Sequence, residues 1–310
     1  MNYNRVNGVV NPVSRLVLGS MAVDINMPTN SHALLDFFFE HGGNCIDTAW
    51  LYRRGDSEKC VGAWIENRGI RSKIVIIGKG AAPVERCTPE VITSQLEESL
   101  ERLRTDYVDI YLMHRDNPEI PVEAFVDCLN EHCRSGRVRS FGGSNWTTRR
   151  IEEANAYAGA HGLVGFTASS PNLSLAVWNE PMWADCISAS DKASREWYRR
   201  SEMAVFAWSS QASGFFTGRY DGTSADTPFA KEVARVWFNA ANFERLERAR
   251  TLARSRGATP SQIALAYVLC ESPNAFALIG PQTSEELRES IEALPLVLSD
   301  SERQWLNLES

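Results

Sequence analysis

Short apolar runs alternate with amphipathic stretches along the chain from about residue 15 to its end. The runs have the length of strands, and the stretches between them carry apolar residues at helical spacing, such as Val61, Trp64 and Ile65. Residues 74–77 are four β-branched residues in a row, which is typical of a strand buried on both faces. The pattern predicts eight strands, at residues 15–18, 45–48, 74–77, 108–113, 138–142, 164–168, 205–208 and 276–279.

The starts of three predicted helices carry capping residues. A threonine before a proline suits the N-cap and first helical position, and a threonine three residues before Glu or Gln predicts a capping box. These pairs are Thr88 with Pro89, Thr259 with Gln262, and Thr283 with Glu286. They predict helices that begin near residues 89, 260 and 284.

Two stretches depart from the alternation of strands and helices. Asn7 and Gly8 lie between short apolar runs, which predicts a β-hairpin at the N-terminus. Residues 215–239 are glycine-containing at their start and are expected to form an irregular loop. Long loops of this kind in a compact domain usually serve a function.

Eight strands separated by helices predict an α/β fold, a (β/α)8 TIM barrel with an N-terminal hairpin and extra C-terminal helices. We expect residues 1–310 to form a single domain. The carboxyl ends of the strands in such a barrel share one mouth. Asp47, Lys79 and His114 end three successive strands, and Tyr52 follows five residues after Asp47. These four groups together predict a proton-transfer site.

Composition narrows the functional classes. The formal charge of −7 and the absence of a basic segment argue against binding to nucleic acid. No apolar stretch reaches the ~18 residues of a membrane span, and the first residues do not form a signal peptide. The seven cysteines contain no CxxC pair, so we expect no metal site and no disulfide. A cytoplasmic location follows as the expectation.

Four segments resemble the aldo-keto reductase family, in the order in which that family carries them. Residues 43–62 resemble its first signature, and 135–146 (SGRVRSFGGSNW) resemble its GKVRxxGxSN segment. Residues 206–220 (FAWSSQASGFFTGRY) resemble its loop after the seventh strand, and 279–290 (IGPQTSEELRES) its C-terminal cofactor segment. The resemblance covers nearly the whole chain and implies an NAD(P)H-dependent reductase of aldehydes or ketones.

The resemblance assigns roles to the four groups at the mouth. Tyr52 would donate a proton in reduction and accept one in oxidation, and His114 would orient the substrate oxygen. A tyrosine with a pKa near ~10 transfers protons poorly near neutrality. We expect Lys79 to lower the pKa of Tyr52 by its charge, and Asp47 to hold Lys79 in place. Taken singly, each residue could instead be an ordinary capping, surface or core residue.

The resemblance also implies a cofactor, NADP(H) or alternatively NAD(H), lying across the mouth. No GxGxxG motif follows the first strand, so a Rossmann site is not indicated. Ser144 and Asn145 match the pair that binds the carboxamide, and Trp208 matches the ring that stacks on the nicotinamide. The full predicted cofactor set is Ser20, Met21, Asp47, Ser144, Asn145, Ser170, Trp208, Ser209, Ser210, Gln211, Ser213, Gly214, Arg219, Gly280, Gln282, Glu286, Glu289 and Ser290.

The chain departs from the family's cofactor pattern at three positions. Ser170 replaces a glutamine that binds the carboxamide, and Ser290 replaces a usual asparagine. Glu286 stands where Arg or Gln often lies near the 2′-phosphate. Its carboxylate would repel that phosphate unless Arg288 or Arg219 compensates, which weakens the expected preference for NADP(H).

Three arginines near the mouth suggest a substrate with an anionic group. Arg53 and Arg54 follow Tyr52, and Arg115 follows His114. Guanidinium groups bind carboxylate or phosphate oxygens well, and this predicts a polar carbonyl substrate, such as a sugar derivative. Trp50 and Trp146 would line the site beside Tyr52 and His114. The alternative is that the arginines pair in solvent with Asp56, Glu58 and Asp116.

Two other functional classes stay open at this point. Regulatory subunits of channels share the fold and the motifs of the resembled family, so the chain could bind a nucleotide without catalysis. A barrel hydrolase or isomerase would use phosphate loops but would leave Ser144, Asn145 and Trp208 unexplained. In the preferred interpretation the partner is a small-molecule carbonyl substrate.

Overall fold

The computed structural model describes residues 1–220 and 227–309. Within these residues eight parallel strands close a barrel in chain order, with the last strand hydrogen-bonded to the first. A short antiparallel pair precedes the barrel. The strands are β1 (Tyr3–Asn4), β2 (Val13–Ser14), β3 (Leu16–Gly19), β4 (Cys45–Asp47), β5 (Val75–Gly80), β6 (Val108–Met113), β7 (Val138–Ser144), β8 (Ala168–Ser170), β9 (Ala204–Ala207) and β10 (Ala275–Ile279).

Helices follow the barrel strands and cover their outer face. They are α1 (Pro28–Glu40), α2 (Asp56–Arg68), α3 (Pro89–Leu103), α4 (Val122–Arg134), α5 (Thr148–Ala160), α6 (Lys192–Ser201), α7 (Pro228–Trp237), α8 (Ala240–Arg256), α9 (Pro260–Glu271), α10 (Ser284–Glu292) and α11 (Asp300–Leu306). In the described part of the chain, none of these helices has the length and apolar character needed to cross a membrane.

The side chains inside the barrel come from alternate residues of the strands, because successive side chains of a strand point to opposite faces. Val75 and Ile77 of β5 lie in one apolar cluster with Ile110 and Leu112 of β6. Residues two positions further along the same faces are Lys79 and His114. The alternation therefore brings these two polar groups inward at the end of the barrel where the strands finish.

The N-terminal hairpin closes the opposite end of the barrel. Val6, Val9 and Val13 belong to the same interior cluster as the inward-facing strand residues. Asn7 and Gly8 form a turn, and Gly8 has a φ of 85°, which is accessible to glycine. The predicted barrel and hairpin are thus confirmed.

The predicted sixth strand was wrong by four residues, since β8 begins at Ala168 rather than at Val164. Side chains of the neighbouring helices bind the backbone groups that a longer strand would have used. Asn130 binds both the N–H and the carbonyl of Val164, at 3.0 and 2.9 Å. Asn155 accepts a hydrogen bond from the Phe166 N–H and donates one to its carbonyl.

The stretch 215–239 is also more regular than expected. It contains α7, whose N-terminus is capped by the Thr227 side chain, while part of the predicted loop, residues 221–226, lies outside the described residues. The capping box at Thr259 and Gln262 is confirmed. At Thr283 only half of the predicted box forms, because the Glu286 carboxylate binds the N–H of Gln282 at 2.7 Å.

Candidate active site

Asp47, Lys79 and His114 meet at the mouth of the barrel as predicted from their strands. Lys79 forms a buried ion pair with Asp47, and its Nζ donates a second hydrogen bond to the Thr48 carbonyl at 2.8 Å. His114 is also buried, and its backbone N–H donates to the Gly80 carbonyl at 2.6 Å. The backbone of neighbouring strand ends therefore fixes the position of these groups.

Tyr52 lies in a short 3-10 turn directly after β4, next to this cluster. Its ring contacts the His114 ring edge-on, with 5.9 Å between centroids. The Nζ of Lys79 lies 5.0 Å from the centroid of the Tyr52 ring. The structure thus brings together all four residues that the sequence placed at the proton-transfer site.

Burial governs the protonation of this site. It raises the pKa of Tyr52 well above its usual value, Asp47 raises it further, and Arg115 opposes the shift. The expectation that Lys79 would bring this pKa down is therefore wrong for the net effect, because burial and the charge of Asp47 outweigh the opposing charge of Arg115. Burial, with the charges of Lys79 and Arg115, holds the pKa of His114 well below its usual value. At neutral pH the site contains a protonated phenol and a neutral imidazole.

The predicted carboxamide ligands form one hydrogen-bonded group at the ends of β7 and β8. Ser144 Oγ donates to the Ser170 carbonyl at 2.8 Å, and Asn145 Nδ2 donates to Ser144 Oγ at 3.1 Å. Ser170 Oγ donates to the Phe206 carbonyl at 2.8 Å. The shorter Ser170 therefore serves to tie adjacent strands together in this structure.

Trp208 belongs to a row of indoles that the sequence did not reveal. Trp183 and Trp178 contact its ring, with centroid distances of 5.6 and 6.0 Å, and Trp178 packs in turn against Trp237. The row runs from fully buried Trp237 to Trp183, which is 44% exposed. The Nε1 of Trp208 is buried and has no hydrogen-bond partner among the described residues.

The loop between β8 and α6 carries Trp178 and Trp183 over the mouth. The part of this loop that leads into α6 is hydrogen-bonded to the site, because the N–H of Ile187 donates to Asn145 Oδ1 at 3.3 Å. The charge of Arg115 opposes the effect of burial on the pKa of the Cys186 thiol, and this thiol in turn raises the pKa of Tyr52. This loop is a wall of the site that no local sequence signal identified.

The loop after β9, which contains several predicted cofactor residues, has four residues with left-handed backbone conformation. Ser209, Ala212, Ser213 and Gly214 have positive φ values of 48°, 50°, 53° and 83°. Left-handed residues among right-handed ones turn successive N–H groups toward one side, which favours phosphate. The Ser210 hydroxyl anchors this loop to the Leu278 carbonyl at 2.7 Å. Gln211 lies in the same loop, directly before its 3-10 turn.

The predicted 2′-phosphate region lies at the start of α10. Arg219 Nη2 is 4.0 Å from Glu286 Oε1, so Arg219 is the arginine that offsets this carboxylate. Arg288 instead lies over the Phe37 ring. Gly280 and Gln282 are exposed beside this helix start.

Four further residues of the predicted cofactor set differ in how far they are exposed to solvent. The hydroxyl of Ser20 is buried against Ser57, and that of Ser290 donates to the Glu286 carbonyl one turn earlier in α10. Glu289 accepts a hydrogen bond from the Thr259 hydroxyl at 2.6 Å. Met21 is exposed at the mouth.

The predicted substrate arginines do not form a cluster of three free cations. Arg53 pairs with Asp24, and Arg115 donates to the His114 carbonyl at 2.8 Å. Arg54 is exposed. The alternative pairings are also wrong, because Asp56, Glu58 and Asp116 pair with other residues, namely Lys59, Arg102 and Arg150.

Trp50 and Trp146, the two tryptophans predicted to line the site, differ in their exposure to solvent. Trp50 is partly exposed, and its Nε1 donates to Glu98 at 2.8 Å. Trp146 is fully buried against Phe125 and Phe166, and its Nε1 donates to the Arg115 carbonyl. Contrary to the expectation, Trp146 therefore supports Arg115 from below and presents no surface to the mouth.

Comparisons with known proteins agree with this geometry. The aldo/keto reductase family matches residues 15–307 of the chain. The chain is 30% identical to norsolorinic acid reductase stcV of Emericella nidulans, over 94% of this chain and 76% of that protein. It is 27% identical to the probable aryl-alcohol dehydrogenase AAD4 of Saccharomyces cerevisiae, over 88% of this chain and 85% of the other. The structure of an aldo-keto reductase from Klebsiella pneumoniae with NADPH superposes with a TM-score of 0.74, at 23% identity, over 99% of this chain and 95% of that one.

Proposed function

The chain belongs to the aldo/keto reductase family of NAD(P)H-dependent oxidoreductases, and on that premise we propose that it reduces an aldehyde or ketone to the alcohol with Tyr52 as proton donor. Family membership removes the hydrolase and isomerase alternative. The curated relatives with 30% and 27% identity are a reductase and a probable dehydrogenase by name, which favours catalysis over a purely regulatory role.

The convergence of Tyr52, Lys79 and His114 carries this proposal. The Tyr52 phenol is protonated at neutral pH and carries the proton that a carbonyl oxygen would take up, but burial raises its pKa and so makes release of that proton costly without nearby cations. The phenolate left behind is stabilised by the nearby charges of Lys79 and Arg115. Neutral His114 is able to donate a hydrogen bond to the same carbonyl oxygen and to orient it.

NADP(H) is the cofactor that we propose, and the residues present fit it. The bound reduced nicotinamide would supply a hydride to the carbonyl carbon. Trp208 offers an indole face for the ring, and the loop that contains Ser209, Ser213 and Gly214 offers backbone N–H groups to phosphates. Arg219 would hold the 2′-phosphate, with Glu286 beside it reducing the preference over NAD(H).

A kinetic comparison of wild type and Tyr52→Phe tests this function. Purified protein should oxidise NADPH in the presence of an aryl aldehyde. Tyr52→Phe keeps the ring and removes the proton, so kcat should fall by about 10² or more while NADPH affinity stays unchanged. A wild-type kcat in Tyr52→Phe would remove this tyrosine from the mechanism.

The substrate that we propose is an aryl aldehyde or ketone. Met21, Leu51 and Trp183 are large apolar side chains exposed on loops at the mouth, where a sugar would need polar partners. Flat aromatic bodies stack favourably on indole rings, and Trp183 presents such a face. The name of the aryl-alcohol dehydrogenase relative is consistent with this class.

An acidic substituent on that aryl body would face Arg115, the arginine that influences the pKa of both Tyr52 and His114. We would measure kcat/KM for benzaldehyde and for 4-carboxybenzaldehyde in wild type and in Arg115→Leu. The ratio should favour the carboxylate in wild type and fall severalfold in the variant. An unchanged ratio would show that Arg115 does not bind the substrate's anionic group.

A further inference from the structure

The three residues after Tyr52 have a backbone conformation that is unfavourable for side chains with a Cβ. Arg53 has φ 48° and ψ 36°, Arg54 has φ 57° and ψ 32°, and Gly55 has φ 93°. The left-handed region brings Cβ close to the following carbonyl oxygen, so only glycine adopts it without strain. Two consecutive arginines in this region need compensating contacts elsewhere. Strain of this type is concentrated at functional sites.

The side chain of Arg53 supplies such contacts. Its Nε donates to the Met21 carbonyl at 2.9 Å, and its Nη1 pairs with Asp24 Oδ2 at 2.9 Å. Asp24 is itself held in place, because its Oδ1 accepts hydrogen bonds from the N–H and the side-chain amide of Asn26, at 2.8 and 2.9 Å. Arg53 therefore ties the Tyr52 turn to the loop that follows β3.

A second arginine holds the same turn from the other side. Arg102 of α3 donates from Nη1 to the Trp50 carbonyl at 3.0 Å and to Glu58 at 3.1 Å. Its guanidinium packs on Gly55, where an added Cβ would lie 2.7 Å from the Arg102 Cζ. Glu58 is fully buried. Tyr52 thus lies between Trp50, whose carbonyl binds Arg102, and Arg53, whose side chain binds the loop after β3.

We propose that Arg53 is a positioning residue, which with Arg102 clamps the turn so that the Tyr52 ring stays against His114. The inference rests on the proposed function, because it concerns the orientation of Tyr52 as the proton donor. Arg53 acts through Tyr52 and does not touch the substrate. Two of its nitrogen atoms already bind Met21 and Asp24. For this reason we assign Arg53 to positioning the turn and not to binding an anionic group of the substrate, which was the role expected from sequence.

The variant Arg53→Gly tests the loss of the Arg53 side-chain contacts without adding backbone strain. Arg53→Gly removes the ion pair and the hydrogen bond but relieves the left-handed backbone, so the melting temperature should stay within about 4 °C of wild type. Because small displacements of catalytic groups slow a reaction strongly, kcat should fall by about tenfold to a hundredfold. KM for the aldehyde and Kd for NADPH should change by less than about twofold, since neither ligand is bound by Arg53.

Further variants of the same pair sharpen the test. Asp24→Asn should reproduce the loss of kcat, and the double variant Arg53→Gly/Asp24→Asn should be no slower than the worse single variant, because both remove one contact. Arg53→Lys retains a cation for Asp24 and should recover part of the activity. Arg102 is less suitable, since its loss would leave buried Glu58 without its partner.

Arg68 provides a matched control. It pairs with Asp36 through Nε and Nη2, and its side chain is 39% exposed compared with 41% for Arg53, but it connects α2 to α1 away from the turn. Arg68→Ala should leave kcat unchanged. The inference is overturned if Arg53→Gly keeps the wild-type kcat, or if it raises KM for anionic aldehydes at constant kcat. Absence of turnover in wild type would instead reject the proposed function.

Discussion

The ammonium nitrogen of Lys79 lies 5.0 Å from the centroid of the Tyr52 ring while it forms a buried ion pair with Asp47. Lys79 is therefore held by a carboxylate and lies close enough to the Tyr52 ring for its charge to favour the phenolate form. Burial is the largest influence on the pKa of Tyr52, Asp47 raises this pKa further, and Arg115 lowers it.

Lys79→Met should change both activity and stability. The cation next to Tyr52 is lost, so the pKa of Tyr52 should rise further and the pH profile of alcohol oxidation, which needs the phenolate, should move to higher pH. Asp47 is left buried without its partner, which costs about 3–5 kcal/mol of folding free energy. The double variant Lys79→Met/Asp47→Asn should recover part of this stability. An oxidation profile identical to wild type in Lys79→Met would refute the proposed interaction.

His114 should make folding stability depend on pH. Its pKa in the folded state lies well below the ordinary value of 6.5, so below that pH the unfolded chain binds a proton that the folded chain does not. Stability therefore falls as pH decreases below about 6.5, by at most ~1.4 kcal/mol per pH unit for this one group. His114→Gln should reduce the difference in unfolding free energy between about pH 7.5 and about pH 5, measured by urea denaturation.

Comparing the pH dependence of the unfolding free energy in wild type and in His114→Gln removes the contributions of other titrating groups, because both proteins contain them. His132 also has a lowered pKa, through burial, but it is present in both proteins. If wild type and His114→Gln lose the same amount of stability on acidification, then His114 is not held neutral in the fold.

Trp183 should select aryl over aliphatic carbonyls. Benzaldehyde and cyclohexanecarbaldehyde share a carbon skeleton but differ in aromaticity, and stacking contributes about 0.5–1.5 kcal/mol beyond buried area. Trp183→Ala should lower the ratio of kcat/KM for the two by about twofold to tenfold, whereas Trp183→Phe should preserve most of it. Trp197, which binds Glu152 on the outer helices, is the control, and Trp197→Ala should leave the ratio unchanged. A constant ratio in Trp183→Ala would dismiss the stacking role.

Glu286 should weaken the binding of NADPH relative to NADH. Glu286→Gln removes the carboxylate that lies 4.0 Å from Arg219 and frees this guanidinium for the 2′-phosphate. The Kd for NADPH, measured by fluorescence titration, should decrease by about twofold to fivefold, since partly exposed charges interact weakly. The Kd for NADH should not change.

Glu285 is the matched control for that measurement, because it lies in the same first turn of α10 and carries the same charge. Glu285→Gln should affect neither nucleotide. Equal changes in NADPH and NADH affinity on Glu286→Gln would mean that this carboxylate does not face the ribose phosphate.

The periodicity of the chain was sufficient to predict the barrel and the core of the site. Asp47, Lys79 and His114 each lie two residues beyond an inward-facing apolar residue of the same strand, namely Cys45, Ile77 and Leu112. Alternation along a strand and convergence of parallel strands are local rules, so they are readable from sequence. The same holds for the caps at Thr88 and Thr259, which depend on residues within one helical turn.

The tertiary structure decided which side chains accompany that core. Arg53 and Asp24 are 29 positions apart and Arg102 and Trp50 are 52 apart, and their pairing depends on how loops of different strands pack. Trp183 joins Trp208 only because the loop after β8 folds back over the mouth. Such contacts depend on long-range packing, for which periodicity and capping carry no signal. The sequence by itself therefore determined the barrel fold and the convergence of Asp47, Lys79 and His114, while packing between distant loops determined which contacts hold the Tyr52 turn and which side chains are exposed at the mouth.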